Sequence, residues 1–327
     1  MAGGFAFILG LIFGSFLNVC IYRLPRGLSV VRPRSACPNC GQPIAAYDNI
    51  PLLSWLLLGG RCRHCRARIT PRYMFVELAL GLLFLACYDA FGLTLATIKW
   101  CSFCFLVLGL IFADAETHLL PDKLTLPGLA LGLLWSLWVP VPGPLSSWFA
   151  PQVSPFPEFA RLASLGNAVL GAAVGAGFIY ISGALYLRWR GVEGMGLGDV
   201  KLMAMVGAFL GPALTLFALI TASVGGGLYG VMVVLNVFRK RWQRYHRAQF
   251  ARQTQPGSPA NATVAHAGME NRHPPGAPLL RPWSRARQSA SLALRFHEMP
   301  FGVFLGSMAL FAFFLGNRLL DWYLSLF

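Results

Sequence analysis

The sequence predicts an all-α polytopic membrane protein, with about eight transmembrane helices and one small cytoplasmic domain. Three observations carry that reading. First, hydrophobic residues make up 56% of the 327 residues and charged residues 12%, and the mean hydropathy is +0.59; water-soluble domains carry about 25% charged residues. Second, eight apolar runs approach the ~20 residues needed to cross a bilayer: 4–22, 75–92, 95–113, 124–140, 165–187, 202–217, 218–238 and 301–320. The boundary between 202–217 and 218–238 is the weakest, punctuated only by Gly211-Pro212 and a few small residues. Third, if all eight runs span and the amino terminus lies outside, the cytoplasmic segments hold 24 Lys/Arg, against three (Lys99, Arg161 and Arg318) on the other face. The positive-inside rule selects that orientation. The net charge of +15 then points to anionic lipid heads as partners rather than to nucleic acid.

Residues 1–22 form the first transmembrane helix. They lack the basic n-region and small-residue cleavage site of a signal peptide, and the basic Arg23-Leu-Pro-Arg26 follows the run. Gly14-Ser15 near the middle suits close helix packing. Residues 23–72 form a cytoplasmic four-cysteine domain. Cys37-Pro-Asn-Cys40-Gly and Cys62-Arg-His-Cys65 are CxxC pairs separated by 21 residues. Each pair can turn sharply and present two thiolates to one tetrahedral ion, a zinc-ribbon-like pattern with Cys37, Cys40, Cys62 and Cys65 as ligands. A reversible dithiol is the alternative; the reducing cytosol disfavours a stable disulfide. His64 between two ligands reads as a bystander.

Residues 73–238 form the transmembrane bundle. Glu77 reads as an early-turn carboxylate favoured by the helix dipole, or as a partner for Arg72. Cys20, Cys87, Cys101 and Cys104 lie in apolar runs and read as small packing residues. Asp114 ends the run 95–113, at a helix end where the dipole disfavours negative charge, so no capping role explains it. Asp122, after Pro121, reads as a helix-start cap. Asp199 follows Gly194-Met195-Gly196-Leu197-Gly198, glycines that allow tight turning and close approach. A carboxylate at the edge of a bilayer-length run costs at least ~2.5 kcal/mol if unpaired at depth, and is a functional candidate by default. Asp114 and Asp199 both emerge on the cytoplasmic side, whereas Asp89 emerges on the other. Two carboxylates sharing a site hold one proton between them near neutrality. The ionised one can take a proton from water while the other protonates the developing oxyanion.

Residues 140–164, rich in Pro, Ser and Trp, read as an outer loop with interfacial aromatics. Residues 239–299 are basic and rich in Pro, Gly, Gln and Ser. The stretch from Arg239 to about Ser289 reads as a disordered cytoplasmic insertion whose basic start lies along the lipid surface. The sequon at Asn261 faces the cytosol in this topology and carries no meaning. Residues 300–327 supply the last transmembrane helix.

Several stretches together resemble the prepilin peptidase family, the type IV leader peptidases: Gly14-Ser-Phe-Leu-Asn-Val-Cys-Ile-Tyr22-Arg-Leu-Pro25, the four cysteines, Arg72-Tyr73 with Val76-Glu77, Asp114 with Leu120-Pro121-Asp122, Gly196-Leu-Gly-Asp199-Val-Lys201, and Pro300-Phe-Gly302. They run in the family's order through nearly the whole chain. The resemblance implies a GxGD aspartic protease of the bacterial inner membrane that cleaves the basic leader from prepilins and pseudopilins at the cytoplasmic face. It also implies, for the four-cysteine type, S-adenosylmethionine-dependent N-methylation of the new amino terminus. The catalytic aspartates would be Asp114 and Asp199; no methyl-donor fingerprint is readable. The insertion at 239–299 is longer than the family usually carries.

Two rival classes stand beside this reading. A proton-coupled transporter would use the two aspartates as a relay, but the halves show no internal symmetry. A membrane-anchored interaction protein would use the cysteine domain alone. A zinc protease is a poor alternative, because no HExxH occurs and a four-cysteine site leaves no open position for water.

Overall fold

The computed structural model describes residues 2–145, 157–191, 196–253 and 301–326. The chain divides into two compact units, Met1–Val224 with Pro300–Phe327, and Gly225–Met299. In chain order the helices are α1 (Ala2–Arg23), a 3-10 turn (Ala46–Asn49), α2 (Leu53–Leu57), α3 (Arg72–Phe91), α4 (Leu95–Thr117) and α5 (Asp122–Trp135). They continue with α6 (Pro157–Arg190), α7 (Leu197–Leu210), α8 (Pro212–Gln253), α9 (Phe301–Phe311), a π-helical turn (Ala312–Gly316) and α10 (Asn317–Leu324). No strand occurs among the described residues, only single antiparallel bridges at Ala36–Pro43 and Arg61–Arg68. The cysteine domain is therefore a pair of knuckles without extended ribbons.

Among the described residues eight apolar helices build the bundle, and six spans are long and apolar enough to cross a membrane. The multi-pass, all-α class is as the sequence predicts. Runs 124–140 and 202–217 become the 14-residue helices α5 and α7, each ~21 Å long at 1.5 Å per residue. The expected break at 217/218 lies instead at Gly211-Pro212. Gly211 adopts φ +77° and its N–H closes α7 on the Gly207 carbonyl at 2.9 Å, while Pro212, lacking an N–H, opens α8. The expected disorder from Arg239 is also corrected: α8 stays helical to Gln253. No Pro or Gly interrupts 239–253, and Arg, Lys, Gln and Ala propagate a helix already nucleated at little cost. The rest of that insertion, the sequon and residues 146–156 of the outer loop lie outside the described residues.

α4 is the central helix. On one side Leu17, Ile21, Val76, Leu80, Phe84 and Cys87 of α1 and α3 pack with its Cys104 and Leu108. On the other, its Phe103, Leu106, Val107 and Leu110 join Met205, Val206 and Phe209 of α7 and Leu305 and Ala309 of α9. Outward-facing Phe5, Ile8 and Ile12 of α1 and Ile220 and Val224 of α8 remain exposed, as lipid-facing side chains do.

Lipid is as apolar as leucine, so helix association depends on close packing, and small residues sit at the contacts. A Cβ on Gly10 would come within 2.7 Å of Gly81 Cα, and one on Gly14 within 2.7 Å of Glu77 Cα, which seats α1 on α3. A Cβ on Gly171 or Gly207 would strike the other's carbonyl oxygen at 2.2 and 2.1 Å, which seats α6 on α7. These spacings set how closely α1 lies on α3 and α6 on α7.

Candidate active site

Asp114 sits in the last turn of α4 and is buried. Negative charge there opposes the helix's own dipole. What answers it comes from 189 residues away: the Val303 N–H, in the first turn of α9, donates to Asp114 Oδ2 at 3.0 Å. The carboxylate thus caps the N-terminus of another helix, where unsatisfied N–H groups and the positive dipole end await an acceptor. Gly302 makes the approach possible, because a Cβ there would stand 2.9 Å from Oδ2 and 3.0 Å from Cγ. α4 then ends at His118, in the left-handed region at φ +52°, with its N–H on the Asp114 carbonyl at 2.9 Å.

Asp199 sits in the first turn of α7, after the N-cap Gly196, whose carbonyl accepts the Asp199 N–H at 3.1 Å. Its half-buried carboxylate faces the Gly196 backbone and lies within the field of the Asp114 charge. Leu120, in the loop after α4, packs against both neighbourhoods: a Cβ on Gly198 would meet Leu120 Cβ at 3.1 Å, and one on Gly302 would meet its Cδ1 at 3.3 Å. The two aspartates singled out in the sequence are thus brought together at one end of the bundle. Gly194 and Met195 lie outside the described residues.

Three expectations change. Asp122 opens α5 without a side-chain capping bond; both its oxygens instead accept from Lys201 Nζ, at 2.7 and 2.8 Å. α5 and α7 begin at the same end of the bundle, which places the ammonium within reach. Glu77 is neither a dipole partner nor a mate for Arg72. It is buried, and its Oε2 accepts the Leu52 N–H at 2.9 Å, tying α2 to α3. Arg72 pairs with Glu116, two residues beyond Asp114. The sequence carried no signal for the Val303 or Lys201 contacts, whose partners are 189 and 79 residues apart.

The four cysteines converge. The sulfurs of Cys37, Cys40, Cys62 and Cys65 all lie within 4.8 Å of one another, and Cys37 and Cys65 are 3.8 Å apart. Tetrahedral ligation at a metal–sulfur distance of about 2.3 Å spaces sulfurs by roughly 3.8 Å, so the set could hold one metal ion. Each knuckle closes through its first cysteine: the Gly41 N–H reaches the Cys37 carbonyl at 2.9 Å and the Arg66 N–H the Cys62 carbonyl at 3.1 Å. The thiols are differently poised. The Ala67 backbone N–H and the Asn39 side chain bring Cys65 down to about 6, and the backbone N–H groups of Cys40 and Asn39 lower Cys37. Those N–H groups favour thiolates, the form that ligates metal. Asp48 braces the second knuckle by accepting from Arg63 Nε at 2.8 Å, and that guanidinium holds its carboxyl below the usual carboxylate range. His64 is exposed and outside the cluster. Cys20, Cys87 and Cys104 are buried in the bundle, as packing residues are.

Residues 8–91 match the Bacterial Peptidase A24 N-terminal domain, and residues 100–231 match the Type IV leader peptidase family. The chain is 36% identical over 253 residues to a prepilin leader peptidase/N-methyltransferase of Burkholderia pseudomallei (strain 1026b), covering 70% of this chain and 75% of the relative. The chain belongs to the type IV leader peptidase family. A prepilin leader peptidase/N-methyltransferase of Myxococcus xanthus (strain DK1622) is 40% identical over 237 residues, 72% of this chain and 64% of the relative. One of Aeromonas hydrophila is 36% identical over 256 residues, 70% of this chain and 80% of the relative. No solved structure gives a significant match. Of the two matched segments, 8–91 holds the cysteine cluster and 100–231 holds Asp114 and Asp199.

Proposed function

We propose that this protein is a prepilin leader peptidase and N-methyltransferase of the inner membrane, with Asp114 and Asp199 as its catalytic pair. The observation that carries this is the meeting of the two carboxylates at one end of the bundle, one buried and held by the Val303 N–H, the other in the first turn of α7. The pair shares one proton. Its ionised member takes a proton from water as the water oxygen attacks the scissile carbonyl carbon, and the protonated member donates to the developing oxyanion. Collapse of the tetrahedral intermediate breaks the C–N bond, leaving a leader carboxylate and a mature chain with a free amino terminus.

The substrates are prepilins and pseudopilins, whose basic leaders reach the pair from the cytoplasm. The Lys/Arg asymmetry supports that face: 24 on the segments read as cytoplasmic, those that carry the site among them, against three on the other. The cysteine cluster holds zinc in a structural role, because four thiolates fill a tetrahedral shell and leave no position for water. S-adenosylmethionine, when bound, supplies the methyl group for the new amine. Lipid heads and prepilins are the partners. None of the three relatives described is named as a transporter, and the pairing of Asp114 with a helix N-terminus suits fixed chemistry better than a mobile relay.

Mass spectrometry of the amino terminus of a co-expressed prepilin reads cleavage and methylation together. The wild type is expected to give a cleaved, methylated product, and Asp114→Asn and Asp199→Asn uncleaved prepilin with the variant still in the membrane. Clear residual cleavage by either variant sinks the pair.

A further inference from the structure

A second cluster of charge lies at the same end of the bundle as the aspartate pair but faces the other way. Glu116 is two residues past Asp114, about 200° around α4 at 3.6 residues per turn. It pairs there with Arg72 at the start of α3, whereas Asp114 meets α9. Beside that ion pair opens a cleft of about 250 Å³, lined by Tyr22, Arg26, Thr70, Arg72, Tyr73 and Glu116. None of these side chains has a part in the hydrolysis described above.

The charges in the cleft do not balance. Two guanidiniums meet one carboxylate, which leaves one net positive charge. Arg72 takes Glu116, yet its buried Nε has no hydrogen-bond partner. The exposed Arg26 reaches only a backbone carbonyl among the described residues, that of Tyr22, at 2.7 Å. Arg26 lies 4.2 Å over the Tyr22 ring and Arg72 4.7 Å over the Tyr73 ring. The aromatic faces are thus occupied, and they hold the two cations in place. What remains is a fork of donors suited to an anion with paired oxygens. One side of the cleft leads into the bilayer. Phe75 and Leu82, three and ten residues beyond Arg72, fall on one stripe of α3 and are 56% and 52% exposed. A soluble anion has no use for such a stripe, but a lipid does.

We propose that this cleft is a headgroup site for an anionic phospholipid, with Arg26 and Arg72 receiving the phosphodiester oxygens and an acyl chain lying along Phe75 and Leu82. This deepens the lipid-head reading above and rests on it. A phosphodiester carries one negative charge, which matches the one unbalanced positive charge. Basic pockets between transmembrane helices hold anionic headgroups in this manner. The position gives the lipid a task. Arg26 and Arg72 stand at the two ends of the segment that carries the cysteine cluster, so one headgroup between them ties both ends of that domain to the bilayer surface.

The test is direct binding, read by native mass spectrometry of the full chain in detergent. The probes are phosphatidylglycerol, phosphatidylcholine with the same acyl chains, and glycerophosphoglycerol, which has the same phosphodiester without chains. Arg26 is exposed, so its substitution leaves the packing alone, and thermal unfolding with metal content verifies the fold of each variant. The wild type is expected to retain one phosphatidylglycerol and to bind the other two probes at least about tenfold more weakly. Arg26→Gln should weaken phosphatidylglycerol binding by about tenfold, as loss of a charged hydrogen bond does, with Arg26→Lys in between. Glu116→Gln, which removes the competing carboxylate, should tighten it, a shift of opposite sign that a merely structural role would not produce. A wild type that binds phosphatidylglycerol and phosphatidylcholine alike overturns the lipid-head reading itself. A wild type that prefers phosphatidylglycerol while Arg26→Gln binds it within twofold removes only the cleft. Glycerophosphoglycerol bound as tightly as the lipid overturns the assignment in favour of a soluble phosphate ester. Unchanged lipid affinity in Arg26→Gln with a raised KM for prepilin also overturns it, and makes the cleft a subsite for an acidic substrate side chain.

Discussion

Replacing Gly302 by Ala tests whether the N-terminus of α9 positions Asp114. The new Cβ would stand 2.9 Å from Asp114 Oδ2, 3.0 Å from its Cγ and 3.3 Å from Leu120 Cδ1. Non-bonded carbon and oxygen settle at about 3.3 Å or more, so the carboxylate or the helix end must move by roughly 0.4 Å. The Val303 N–H···Oδ2 bond, now 3.0 Å, would lengthen to about 3.4 Å, beyond the ~3.2 Å limit of a sound N–H···O bond. A hydrogen bond to a charged group contributes about 1.5–3 kcal/mol, and losing about half of it is worth about tenfold in rate. The geometric route agrees, since a misplacement of about 1 Å can cost 10²-fold. The expected result is a fall in kcat of about tenfold on a prepilin substrate, with KM changed by less than about threefold. Gly198→Ala is the comparison. Its Cβ meets the Leu120 side chain at 3.1 Å, in a loop that can yield, so its loss should be smaller. A folded Gly302→Ala that cleaves within twofold of the wild type would refute the positioning role of α9.

Three further outcomes are expected. Gly207→Ala would set a Cβ 2.1 Å from the Gly171 carbonyl oxygen and wedge α6 from α7, costing about 1–3 kcal/mol as overpacking does; an unchanged melting temperature in detergent would contradict that contact. Cys37→Ser with Cys40→Ser should abolish bound metal and expose residues 37–65 to limited proteolysis, and elemental analysis finding no stoichiometric ion in the wild type would remove the site. Asp122→Asn breaks an ion pair whose carboxylate side chain is 55% exposed, so it should cost less than about 1 kcal/mol and leave cleavage within a few-fold; a hundredfold loss would put Asp122 in the machinery.

What was legible in the sequence is what the bilayer and short-range chemistry impose. A spanning helix must satisfy its own backbone and be apolar for about 20 residues, so the runs were visible. The break at Gly211-Pro212 was displaced by only a few residues, because 202–238 is apolar throughout and periodicity cannot mark a turn inside it. The cysteine cluster was readable from two local spacings. Asp114 and Asp199 stood out because a carboxylate at the edge of such a run needs a reason to be there. Asp122 and Glu77 were misread for the opposite cause. Both have a plausible local role at a helix start, and their actual partners, Lys201 and the Leu52 N–H, are set by how helices pack rather than by neighbours in the chain. Gly128 and Gly132, where a Cβ would strike Met205 and Phe209, let α5 lie close on α7.

The placement of Asp114 follows from the same physics that made it conspicuous. A carboxylate in the last turn of a helix is disfavoured by that helix and by burial in an apolar bundle, so it persists only where another element offers donors. Side chains could do so, but a guanidinium would bind the carboxylate as a fixed ion pair, and Arg72 pairs with Glu116 rather than with Asp114. The first turn of α9 supplies instead a single backbone N–H to one oxygen, with the helix's partial positive charge behind it. That arrangement holds Oδ2 in place. It also leaves Asp199, in the first turn of α7, within the field of the Asp114 charge.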